Sequence, residues 1–361
     1  MRLAIIITMV LAAILIAVVI LFGVNHGSRR QEVGDTPSEC AVVSISSADG
    51  IVFFSDSSGN VYALDSVDME VIWRRPCGTD ARTYDCSTDV VTVLRSDRIL
   101  LALSAVYGTV LWELDTGLFM PYYKMVDNVI LYQGRQSPVR AVDTLTGQSI
   151  WQSDKHFLLV PPVFTRNGIW ATDGPGKQLV CIDPANGRVL SALEADIYRD
   201  NVYAHGETLY YSSGNELYAV NAETGAQKVL FHRSIFPYPA PRSEGTGRMT
   251  VSGVTGKHIF VHYEGTLYAW NVGNQKVSWE SRELRGYEIT PFAIICCTGW
   301  GPIRGICNDT GEEMWRLNAA DRIRVADMLD DAILVGLQSG ELLAVDARTG
   351  VLKCTYAIKT E

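Results

Sequence analysis

A unit of about forty residues recurs along nearly the whole chain, and its clearest copy reads Ala141-Val-Asp143-Thr-Leu-Thr146-Gly147-Gln-Ser-Ile-Trp151. Cognates end at Trp73, Trp112, Trp279 and Trp315, and three further copies surround Asp183, Asn221 and Asp346. With the Asp position as a marker, the units stand at 65, 104, 143, 183, 221, 271, 307 and 346. Successive intervals are 39, 39, 40, 38, 50, 36 and 39 residues. A four-stranded propeller blade takes about 40 residues, so the period predicts eight blades between residues 40 and 361.

Each position in the unit has a physical reading. A short apolar run precedes the marker, as in Val61-Tyr62-Ala63-Leu64, and reads as a strand buried on both faces. The marker is Asp or Asn in six units, where its side chain can accept backbone N–H bonds and start a turn. Four residues on stand Gly108, Gly147, Gly187, Gly225, Gly311 and Gly350, at a place that calls for a positive φ. Eight residues past the marker come Trp73, Trp112, Trp151, Trp279 and Trp315, read here as blade-docking side chains rather than a cofactor box. A second apolar run lies upstream of most units, and helix signals are few. The expected fold is all-β: an eight-bladed β-propeller of four-stranded antiparallel blades, whose ring hides its strand edges.

The pattern A-x-D-x-x-T-G-x-x-x-W resembles the tryptophan-docking repeat of PQQ-type propellers, a group that includes quinoprotein alcohol dehydrogenases and BamB-like assembly lipoproteins. The resemblance covers almost everything after residue 40. Departures are Met69 for Gly in unit 1, Gly273 two residues early in unit 6, and Ser191, Val229 and Cys354 in place of Trp. Those interfaces are expected to pack less tightly.

Ahead of the repeats, Leu3–Val24 carries no charge, and Thr8 is its one polar side chain. At about 1.5 Å per residue this stretch spans roughly 33 Å, the thickness of a bilayer core. A cleaved signal peptide has a shorter apolar region and small residues at the cut, which Val24-Asn25-His26 does not supply. Residues 1–24 therefore read as a single-pass signal-anchor transmembrane helix, and 25–39 as a polar stalk. Arg2 on one side and Arg29 and Arg30 on the other leave the charge rule undecided. Cysteine tips the balance: Cys77 and Cys86 bracket a polar stretch and are a candidate disulfide, which suggests an oxidising, extracytoplasmic location. The competing reading is that all eight cysteines are small core residues.

The net charge of −9 disfavours nucleic acid as a partner. The resemblance to quinoprotein enzymes implies a test for axial PQQ with Ca²⁺, because those enzymes carry a ring of adjacent disulfide-bonded cysteines. Cys296-Cys297 is such a pair, but the run from Phe292 reads as a strand, where neighbours point to opposite faces. His258 and His262 also fall in an expected strand, which disfavours a helical metal pair. No bound cofactor, metal site or catalytic residue is expected.

The long interval between units 5 and 6 adds a loop with Phe236, Tyr238 and Arg242, a candidate partner-binding loop because aromatics and Arg dominate binding hot spots. Phe119-Met-Pro-Tyr122-Tyr123 is expected to enter the next blade near the axis. The reading is a monomeric, membrane-anchored, non-enzymatic protein-binding scaffold or assembly factor. The alternatives are a PQQ- and Ca²⁺-dependent dehydrogenase and a ligand-sensing ectodomain.

Overall fold

The structure is a computed structural model that describes residues 40–358, apart from 118–121, 135–136, 154–156, 174–177, 196, 198–201, 236–248, 285, 298 and 300. The described residues form eight sheets, each of four antiparallel strands in simple sequential order. Blade 1 shows the plan: β1 (Val42–Ala48), β2 (Ile51–Asp56), β3 (Asn60–Asp65) and β4 (Val71–Pro76). Its first three strands are largely buried, whereas β4 alternates between exposed and half-buried residues. The first strand of each blade is thus innermost and the fourth outermost. β1 packs against the first strands of both blade 2 (Arg82–Cys86) and blade 8 (Ile323–Leu329), which closes the ring.

The repeat motif is the interlock between neighbouring blades. Ala141 stands opposite Trp151 in the sheet, and a bulge follows at Ala141/Val142. The same small-residue-to-Trp pairing and bulge recur at Ala63–Trp73, Ala102–Trp112, Ala269–Trp279 and Gly305–Trp315. The small residue leaves room for the indole: a Cβ on Gly305 would stand 2.2 Å from the Trp315 ring. A bulge turns its strand locally, and the indole N–H reaches into the next blade. Trp73 donates to Ala105 O at 2.8 Å, Trp112 to Thr144 O at 2.8 Å, and Trp151 to Pro184 O at 2.8 Å. Trp279 reaches Asn308 O and Trp315 reaches Ala347 O in the same way.

The accepting turn is built by the marker. Asp143 Oδ1 accepts from the N–H groups of Leu145 and Thr146 and from the Thr146 hydroxyl. Gly147 N–H closes the turn on Asp143 O at 2.9 Å, at a φ of +68°. Trp112 lies directly against it, so that a Cβ on Gly147 would fall 2.7 Å from the ring. Each Trp therefore needs a Gly in the following unit, and all five have one.

The expectation of loose packing at the three units without Trp is corrected. The residue ten past the marker fills the space instead. Leu193 comes within 3.1 Å of where a Gly225 Cβ would be. Phe231 packs 5.0 Å from Trp270 between ring centroids. Tyr356 packs 5.7 Å from Phe54 of blade 1. The non-glycine turns Met69 (φ 61°) and Gln275 (φ 57°) sit where no Trp arrives, facing Cys354 and Val229 respectively in the unit order. Met69 is buried in the seam between blades 8 and 1 with Leu334, Leu342 and the partly buried Cys354.

The candidate disulfide is also corrected. All eight cysteines, Cys77 and Cys86 included, are free thiols. The polar stretch between them is half strand: Arg82–Cys86 is extended, and at about 3.3 Å per residue it carries Cys86 away from Cys77. Leu3–Val24 lies outside the described residues, and among the described residues no helix is long and apolar enough to cross a membrane.

Candidate functional site

Five neighbouring blades send polar side chains from their first strands toward one another near the axis. Ser44 Oγ bonds Ser55 Oγ and accepts the N–H of Thr83 at 2.8 Å, joining blades 1 and 2. Asp85 Oδ2 accepts the Met125 N–H at 2.9 Å and pairs with Lys124 Nζ at 2.9 Å, joining blades 2 and 3. Ser47 donates to Met328 O at 3.3 Å, joining blades 1 and 8. Asp327 of blade 8 and Glu288 of blade 7 complete the arc.

The electrostatics of this cluster follow from crowding. Burial raises the Asp327 carboxyl, aided by Asp85, against the pull of the Met328 N–H and Lys124. Glu288 keeps an exposed side chain, but partial desolvation by its neighbours raises its carboxyl, with Asp327 adding to it. Cys86 lies within reach of Ser46, Asp85, Asp327 and Lys124, and burial pushes its thiol up to about 12. The Cys297 thiol is likewise pushed up to about 12, by burial first and then by Cys296 and Glu288. At neutral pH both sulfurs are therefore thiols, poor nucleophiles beside thiolates. The cluster sets three carboxyls, Asp85, Glu288 and Asp327, against one ammonium group, Lys124. Among the described residues no group of three His, Cys, Asp or Glu side chains could hold a metal ion.

PQQ does not fit these residues. Cys296 ends a strand and packs with Phe260 and Leu267 toward blade 6. Cys297 packs on the opposite face with Ile333 and Val335 of blade 8. The pair cannot form the disulfide ring on which that cofactor would stack.

The other expected sites are placed as follows. Phe236, Tyr238 and Arg242 lie outside the described residues. Tyr122–Val126 is the innermost strand of blade 3, as expected for that segment. His258–Tyr263 is a strand. Buried His258 sits between Ser278 Oγ, 3.2 Å from Nε2, and Asp309 Oδ1, 3.5 Å from Nδ1. Burial lowers its pKa, against the pull of Asp309, and the ring packs at the seam between blades 6 and 7. Sequence reasoning missed the axial cluster, because the first strands lie outside the repeated motif and each carries a different polar residue.

The family profile described as outer membrane protein assembly factor BamB matches residues 30–228 and 240–361. This chain belongs to the BamB family. No curated protein matches the sequence. Among solved structures, BamB from Moraxella catarrhalis is 11% identical, with a TM-score of 0.60 over 87% of this chain and 95% of that one. Sqt1 of Saccharomyces cerevisiae is 9% identical, with a TM-score of 0.63 over 86% and 97%. Apo AztD from Citrobacter koseri is 12% identical, with a TM-score of 0.58 over 86% and 95%. Identities this low show a shared fold alone, so a BamB-family propeller is what sequence and structure jointly establish.

Proposed function

We propose that this BamB-family propeller is a non-enzymatic, monomeric protein-binding scaffold in membrane assembly, held at the cell membrane by Leu3–Val24 with the ring extracytoplasmic. The observation that carries this reading is the family match, which runs from residue 30 to the end of the chain with one short gap. That gap, 229–239, adjoins the candidate partner loop with Phe236, Tyr238 and Arg242. A segment that departs from the family is a reasonable seat for this chain's own partner choice. The test is photocross-linking of the full-length chain in intact membranes. A discrete protein partner, and retention of the chain after an alkaline wash, are expected. A chain that washes off, or that cross-links to no protein, refutes the proposal.

A ligand-sensing reading is favoured by one observation, the gathering of Asp85, Glu288 and Asp327 from three blades near the axis. Thermal-shift titration with spermidine tests it. A shift abolished in Asp327→Asn supports the reading, and no shift in the wild type removes it.

A further inference from the structure

Every blade has the same topology, so all turns between third and fourth strands lie at one end of the ring. The side chain two or three residues past the marker is the tip of that turn. In blades 1 to 3 the tips are Val67, Tyr107 and Leu145, exposed at 84, 76 and 52%. In blades 5 to 8 the same position holds Glu223, Gly273, Asp309 and Arg348. The outer-strand residue beside the docking Trp follows suit. It is the exposed apolar Ile72, Leu111, Ile150 and Leu190 in blades 1 to 4, against Lys228, Ser278 and Lys353 in blades 5, 6 and 8. Blade 7 keeps one apolar residue there, Met314.

The interlock sets these positions beside the seams between blades. Trp73, next to Ile72, lies under the turn that carries Tyr107, bonded to Ala105 O and packed on Gly108. Trp112, next to Leu111, lies in the same way under the turn that carries Leu145. Exposed apolar side chains thus recur at the seams of blades 1, 2 and 3. An exposed apolar patch with a polar rim marks an interaction surface.

Charge identifies the occupant. The turns at this end of blades 1 to 3 contain no Lys or Arg, and they expose Asp49, Asp68, Glu70, Asp89 and Asp127. None of the five has an ion-pair partner among the described residues. On the other side of the ring basic side chains are present and several equivalent charges are engaged, although among the described residues Glu223, Glu312 and Asp330 are not. Lys257 pairs with Asp309, Lys353 pairs with Asp331, and Arg348 covers the Phe292 ring. We propose that the turn end of blades 1 to 3 is a docking face for a basic amphipathic segment of a partner protein, a reading that rests on the scaffold function above. Apolar side chains of the partner would cover the exposed apolar residues while its Lys and Arg residues meet the five carboxylates. The same carboxylates repel anionic lipid and a second copy of this acidic chain. The described chain enters the ring at the opposite end, where Cys40 meets Ser58 and Gly340.

The probe is a synthetic amphipathic peptide of Leu and Lys, followed by fluorescence anisotropy on the full-length chain in detergent micelles. The triple variant Val67→Ser, Tyr107→Ser, Leu145→Ser should weaken binding about tenfold or more. The charge reversal Asp68→Lys with Asp89→Lys should do at least as much. The matched reversal Glu264→Lys with Glu283→Lys, away from this face, should stay within about twofold. Equal loss from both reversals, no loss from the triple variant, or equal binding of a Leu and Glu peptide would overturn the proposal. So would phosphatidylglycerol vesicles or self-association, if either depended on the three tips. In membranes, a triple variant that keeps the wild-type cross-linking profile refutes this face and leaves the scaffold standing. A wild type that cross-links to no protein refutes both.

Discussion

Gly147 shows how one residue joins two constraints. Its φ of +68° is costly for a residue with a Cβ, and Trp112 occupies the place where that Cβ would go. Gly265 has a φ of +76° with open space around it, so it carries the first constraint without the second. Gly265→Ala should cost about 1 kcal/mol, and Gly147→Ala about 2–4 kcal/mol because overpacking is added. Urea denaturation of the two variants, read against wild type, checks the difference. A second residue-level expectation concerns sulfur. Cys307 takes the marker place in unit 7. Burial opposes its ionisation, but hydrogen bonds from the Thr310 hydroxyl and the backbone of Asp309 and Thr310 together lower its pKa. Native protein treated with iodoacetamide at mildly alkaline pH should therefore lose the Cys307 thiol before those of Cys86 and Cys297, as peptide mass mapping would show. Trp and Gly were both legible in the sequence as motif positions. Their partnership was not, because the Trp of one unit meets the Gly of the next. Met69 and Cys354 lie at opposite ends of the chain, so they read as separate departures until the ring closes and brings them to one seam.

At the level of the blade, no strand is exchanged between sheets among the described residues, so the seam between blades 8 and 1 holds chiefly by side-chain packing, with the Ser47 hydrogen bond to Met328 O beside it. It has neither a docking Trp nor the Gly that receives one. Cys354 and the positive-φ Met69 stand in their places, and Tyr356 supplies aromatic contact with Phe54 and Tyr62. Restoring the common solution in one step should fail from either side. Cys354→Trp meets the Met69 side chain, and Met69→Gly empties a buried volume. The double variant recreates the arrangement of the other five interfaces. A double-mutant cycle by urea denaturation should then show both single variants destabilised and a favourable coupling of about 1–3 kcal/mol. Additive effects would mean that the two positions do not meet. The blade plan itself was readable because the alternation of apolar runs, turns and Trp repeats eight times. The axial residues Asp85, Lys124, Glu288 and Asp327 were not readable, since a site assembled once from five different blades leaves no periodic trace.

For the whole molecule, ring closure gathers carboxyls whose preferences oppose those at the rim, and stability should follow pH accordingly. Asp143 and Asp346 at the turns have lowered pKa values, chiefly through hydrogen bonds from Thr146 and Thr349. Their contribution is present above the ordinary carboxylate range and is lost as pH falls through their folded values. Half-buried Asp327 and the more exposed Glu288 have raised pKa values, chiefly through desolvation by neighbouring strands. In the folded ring they keep protons that the unfolded chain has released. Their contribution is complete below the ordinary range and is lost as pH rises through their raised values. Wild-type stability should therefore decline as pH rises above about 4, in a window that the turn carboxylates do not share. Asp327→Asn combined with Glu288→Gln removes both titrating groups and should flatten that upper slope while leaving the acid limb intact. Urea midpoints measured from acid to neutral pH on both proteins decide the matter. An unchanged upper slope in the double variant would mean that the axial carboxyls are solvated like any others, and that closing the ring does not crowd them.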